Sequence, residues 1–111
     1  MGVTKNNLFS KEQIELADFA KALAHPARIA ILQYLIDANK CVNGTLVQEI
    51  GLAQATISQH LKALKEIGLV QGTIEGVSVS YCINPEKFEE LKHHLNSFFS
   101  DFENSKLRCC D

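Results

Sequence analysis

TLVQEIGLAQATISQHLKALKEIGLVQGTIEGVSVSYCI, residues 45–83, is the stretch whose reading decides the fold. Thr45 and Gln48 have the spacing of a capping box, in which a hydroxyl and an amide satisfy free N–H groups at a helix start. A short helix through Leu46, Val47 and Ile50 follows, and Gly51 suits the left-handed residue that ends it. After Leu52 and Ala53 another helix is expected over residues 54–67, with Ile57, Leu61 and Leu64 on its buried face and Gly68 as terminator. The period then falls to two. Residues 69–74 and 77–83 are rich in β-branched side chains and read as two strands meeting at a two-residue turn, Glu75-Gly76.

Outward from this stretch the pattern stays helical. From Ser10, the residues Leu16, Phe19, Ala20 and Leu23 form one apolar stripe. His25-Pro26 ends that helix, because a residue before proline avoids the helical region. Pro26 then opens a second helix, with Ile29, Leu32, Leu35 and Ile36 lining one face and residues 37–40 closing it. Downstream, Asn84 and Pro85 are a cap and first position for a last helix over 85–103. There Phe88, Leu91, Leu95, Phe98 and Phe102 recur at spacings of 3, 4, 3 and 4, which suits either packing on the parent domain or a seam with a second copy. The expected fold class is α+β and mainly helical, about five helices with one hairpin. A single domain covers 10–103, with tails at 1–9 and 104–111.

Composition narrows the function. With 111 residues, 46% of them apolar and 22% charged, the chain fits one globular core and is neither disordered nor membrane-spanning. The first residues lack an apolar leader, so a cytoplasmic location is expected. Eleven Lys and Arg against thirteen Asp and Glu leave a net charge of −2, all of it from residues 85–111. Any polyanion surface must therefore be local. Four cysteines, Cys41, Cys82, Cys109 and Cys110, are too few and too irregular for a secreted disulfide framework and are expected as free thiols. No phosphate loop, nucleophile motif or working carboxylate pair is present, so an enzyme is not expected and no cofactor is required.

The helix over 54–67, preceded by a tight turn, has the dimensions to enter a major groove. Its exposed side bears Thr56, Gln59, His60, Lys62 and Ala63, and Gln54 at its start is a further candidate DNA contact. Gln59 is the best candidate base reader, because a glutamine amide bonds bidentately to adenine. Thr56, Ser58, His60, Lys62 and Lys65 suit phosphate contacts. An ordinary solvated helix gives the same pattern, and the spacing alone does not separate the two.

Three segments, ALAHPARIAIL (22–32), LAQATISQHLKALKEIGLV (52–70) and EGVSVSYCI (75–83), resemble the winged helix-turn-helix domain of ArsR/SmtB-type bacterial regulators. The resemblance implies an operator-binding repressor of double-stranded DNA, a homodimer through its first and last helices. Phe88, Leu91, Leu95, Phe98 and Phe102 would then lie at the dimer seam. It also implies a short strand near Cys41 paired with the wing strand that carries Cys82. The family often has Ser where Ala53 and Ala55 stand, and Arg where Gln59 stands, while the wing here carries only Glu75 near its tip. Weaker phosphate anchoring from the wing is expected.

Relatives of this type commonly release DNA on binding a metal, metalloid or oxidant. The family's Cys-Val-Cys site reads Cys41-Val42-Asn43 here and lacks a ligand. Cys109-Cys110, with Cys41 or Cys82 as a third thiolate, suits As(III), Sb(III) or another soft metal as inducer. A thiol redox switch, a regulator with no sensor, and a thiol metal-binding protein that does not touch DNA remain as alternatives. His93 and His94 point about 100° apart on their helix and do not readily chelate one ion. His25 reads as a structural residue at a helix junction.

Overall fold

A computed structural model describes residues 8–42, 50–73 and 80–105. Four helices and two strands follow in order: α1 (Lys11–Leu23), α2 (Pro26–Ala38), α3 (Gln54–Ile67), β1 (Val70–Thr73), β2 (Ser80–Ile83) and α4 (Pro85–Asn104). The short helix expected from Thr45, and the Glu75-Gly76 turn, lie outside the described residues apart from helical Ile50.

Local chemistry sets each helix end. Ser10 Oγ accepts from the Gln13 N–H at 3.1 Å while Gln13 Oε1 accepts from the Ser10 N–H at 2.9 Å, a reciprocal cap that starts α1. His25 caps α2, its Nδ1 accepting from the Ala27 N–H at 3.2 Å, with Pro26 at the first position. Asn84 does the same for α4 through the Glu86 N–H. Gly68 ends α3 at φ 92°, sending its N–H to Leu64 and Lys65 carbonyls, and the chain turns at once into β1.

β1 and β2 pair antiparallel, Val70 with Ile83 and Thr73 with Ser80. A tight Glu75-Gly76 turn would have set Thr73 opposite Ser78, so the ladder is two residues out of the expected register. An even shift keeps every side chain on its face, which is why the apolar pattern alone did not resolve it. Gly72 stands in β1 at φ 120°, where a Cβ would collide with the Ser80 carbonyl.

The core joins Phe19 of α1, Ile31, Leu32 and Leu35 of α2, Val42 after it, Ile57, Leu61 and Leu64 of α3, Leu69, Val70 of β1, Tyr81 of β2 and Leu91 of α4. Two expectations change. In α2 Leu32 and Leu35 are buried as expected, but they are joined by fully buried Ile31, whereas Ile29 is 38% and Ile36 51% exposed. That helix is apolar almost all round, so its period does not mark the inner face. In α4 the expected seam divides: Leu91 is buried in its own protomer and Phe88 and Leu95 pack on the core, while Phe98 and Phe102 stay exposed. The helix outruns the body that covers its first half. Ile31→Ala should therefore cost about 2–5 kcal/mol and Ile29→Ala under about 1 kcal/mol, measured by urea unfolding. Equal losses would reverse this orientation of α2.

Candidate nucleic-acid interface

Gly51, at φ 88°, and half-buried Leu52 carry the chain from Ile50 to Ala53, which precedes α3 without a side-chain cap. A methyl cannot accept a hydrogen bond, so the first N–H groups of α3 find no side-chain acceptor at their N-cap. The helix is sharply two-sided. Ile57, Leu61 and Leu64 are sealed in the core, whereas Gln54, Ala55, Gln59, Lys62 and Lys65 are exposed and Thr56, Ser58 and Ala63 half-buried. Gln54 Nε2 donates to Ser58 Oγ at 3.1 Å, one turn along the same face. Lys65 Nζ donates to the Gly72 carbonyl at 2.6 Å, tying the recognition-type helix to the strand that follows it.

His60 does not belong to that polar face. It is 8% exposed, on the inward stripe three residues after Ile57 and four before Leu64. Its Nδ1 accepts from Arg28 Nε at 3.1 Å, and Arg28 Nη1 also donates to the Ala22 carbonyl at 3.2 Å. The guanidinium thus bonds the end of α1 and the middle of α3 from within α2. The His25 ring lies 4.3 Å away between centroids. Helical spacing held the signal for His60, but its polarity outweighed it; Arg28 drew no attention because its partner is 32 residues distant.

The cysteine expectation is also corrected. Cys41 and Cys82 are disulfide-bonded, with Cα atoms 4.3 Å apart, rather than free. The expected closeness is present, because Val42 forms a β-bridge with Tyr81 beside them. Cys109 and Cys110 lie outside the described residues, and no group of three or more His, Cys, Asp and Glu placed to hold a metal occurs among the described ones. His94 Nε2 meets Glu15 Oε1 at 2.9 Å between α4 and α1, while His93 is exposed.

His60 gives a pH signature. Burial first, then positive charge on His25 and Arg28, pushes its pKa below the ordinary histidine value. The unfolded chain takes up a proton there near pH ~6.5 while the folded one resists, so stability is whole above that range and falls as pH drops through it. His60→Asn keeps an acceptor for Arg28 but does not protonate. It should flatten the loss of unfolding free energy between about pH 7 and pH 5; an unchanged slope would assign that loss to other groups.

With this geometry in place, comparison with known proteins is direct. Residues 25–71 match the family model described as bacterial regulatory protein, arsR family. The biofilm growth-associated repressor of Xylella fastidiosa is 33% identical over 89 residues, covering 80% of this chain and 77% of that protein. The uncharacterized HTH-type transcriptional regulator Rv0081 of Mycobacterium tuberculosis is 37% identical over 75 residues, 68% of this chain and 66% of that protein. Its crystal structure aligns with a TM-score of 0.60 at 29% identity, over 86% of this chain and 97% of that one. HlyU from Vibrio cholerae aligns with a TM-score of 0.62 at 29% identity, over 76% and 91% of the two chains. No helix of the described residues is long and apolar enough to cross a membrane. The capped helices, the tight turn before α3 and the hairpin behind it are those of a winged helix, and the chain belongs to the ArsR family of bacterial transcriptional regulators, not to an enzyme family.

Proposed function

We propose that this protein is a cytoplasmic, homodimeric repressor in which each copy lays α3 in a major groove of a two-fold operator. One observation carries the reading: α3 turns Gln54, Gln59 and Lys62 to solvent while its other face is sealed. Gln59 reads adenine, and Thr56 and Ser58 are short enough to let the helix approach the groove. Lys62 and Lys65 meet phosphates, whereas buried His60 is withdrawn from the contact set. Few basic groups take part, so affinity falls with salt on a modest slope.

The dimer rests on α1 and α4. Phe98 is 58%, Phe99 53% and Phe102 64% exposed, and a cavity of about 560 Å³ between the helices is lined by Leu16, Ala17, Ala20 and Phe98 among others. Aromatic rings left in water along half of one helix support a second copy as their cover. The inducer in this reading is a thiophilic ion such as arsenite on Cys109 and Cys110, with a third thiolate from Cys41 or Cys82 in reduced protein. Ligand binding would favour a dimer that misaligns the two α3 helices; a coupling of about 3 kcal/mol corresponds to roughly 150-fold weaker DNA binding.

Fluorescence anisotropy with duplex DNA from upstream of its own gene tests both parts. Gln59→Ala should lose about 1–3 kcal/mol of discrimination at one base pair per half-site, and equal loss on random DNA would remove it as a reader. Cys109→Ser with Cys110→Ser should bind normally yet ignore arsenite; continued release would clear the tail of a sensing role.

A further inference from the structure

A cavity of about 410 Å³ opens where the C-terminal end of α2, the outer face of the hairpin and the start of α4 meet. We propose that it is a binding site for small amphiphilic carboxylates, with an apolar chain against its walls and the carboxylate at Lys40. Such binding is independent of whether α3 contacts DNA.

The backbone sets the position. Asn39 ends α2 in the left-handed region at φ 55°, so the chain folds back at once and carries Lys40 and Cys41 beside β2. Gln71 and Cys82 are partners in the ladder and share one face of the hairpin, whereas Tyr81, next along β2, is buried on the other. One face thus serves the core, and the second is left to close the cavity.

The walls are apolar. Leu35 is sealed at the base, Ile83 is half-buried, and Ile36 and Pro85 are exposed at the sides. Ile36 keeps 51% of its surface in water beside this concavity. Apolar area left open there favours an apolar occupant, and the volume lies within the usual range of small-molecule sites.

Charge selects the head group. Asn39, Lys40 and Gln71 supply the polar atoms, and no carboxylate lines the cavity among the described residues. Asp37 and Glu86, next in sequence to Ile36 and Pro85, stay outside its lining. The Lys40 ammonium and the Asn39 side-chain amide make no ion pair or hydrogen bond among the described residues. Gln71 Nε2 reaches the Ile83 carbonyl at 3.4 Å and keeps a second N–H to donate. The helix ends at the cavity, C-terminal for α2 and N-terminal for α4, have dipoles of opposite sign that offset each other. Lys40 is therefore the deciding charge. An ammonium and two amides match the two oxygens of a carboxylate, and at an open rim the gain from the charge is modest.

The test is an NMR titration of isotopically labelled full-length protein, without reductant, using octanoate and separately octanol, an equally long chain with no charge. Octanoate should give saturable shifts confined to residues 35–41, Gln71 and residues 82–86, in the millimolar range or tighter. It should bind at least about threefold more tightly than octanol. Lys40→Gln should remove that advantage and leave octanol unchanged, while Ile36→Ser should weaken both about fivefold. Both positions are exposed, so neither change threatens the fold. Shifts that rise without saturating, shifts centred on Phe98, Phe99 and Phe102, or indifference to Ile36→Ser would overturn the site. Equal affinity for octanoate and octanol, or an advantage that survives Lys40→Gln, would overturn the carboxylate assignment. No DNA enters the experiment, so its failure leaves the operator reading intact, and a duplex that fails to bind leaves this site intact.

Discussion

Burial of one face of α3 is the constraint on which the rest depends. Ile57, Leu61 and Leu64 are each no more than 1% exposed, and together they fix the rotation of the helix about its axis. A turn of about 100°, one residue step, would exchange buried for exposed side chains and hide Gln59. Such a change is opposed by several leucine-sized burials, each worth about 1.5–3 kcal/mol. The outward set of polar groups is therefore a consequence of packing rather than of any preference of its own.

Arg28 and His60 add direction to that packing. Apolar contacts tolerate small rotations, whereas hydrogen bonds at 3.1 and 3.2 Å to His60 Nδ1 and the Ala22 carbonyl do not. Through them α2 holds α1 and α3 in one register. On the other side, Lys65 reaches the Gly72 carbonyl and Val42 bridges Tyr81, so the hairpin is anchored to α3 and to the segment after α2. The unit built around α3 is braced from both flanks.

Much of this was legible in the chain itself. Pro26, Gly51, Gly68 and Asn84 mark their boundaries by backbone chemistry that acts within a few residues, and the helix and strand order follows from periodicity. What escaped reading depends on partners remote in sequence. Imidazole polarity points His60 outward, although the stripe of Ile57, Leu61 and Leu64 includes its position; the hydrogen bond from Arg28 offsets its burial. Leu91 shares a regular stripe with Phe98 and Phe102, and spacing does not reveal where the neighbouring body ends. The Cys41–Cys82 bond joins residues 41 apart, so no local pattern announces it.

The central claim, that the sealed face of α3 commits its opposite face to DNA, is most directly tested by NMR. Isotopically labelled protein would be titrated with the upstream duplex, following backbone and side-chain amides residue by residue. The side-chain amides of Gln54 and Gln59, with the backbone signals of Thr56 and Lys62, should shift first and furthest, while Leu61 and Leu64 move little. Largest shifts along Phe98 and Phe102, with α3 silent, would contradict the claim.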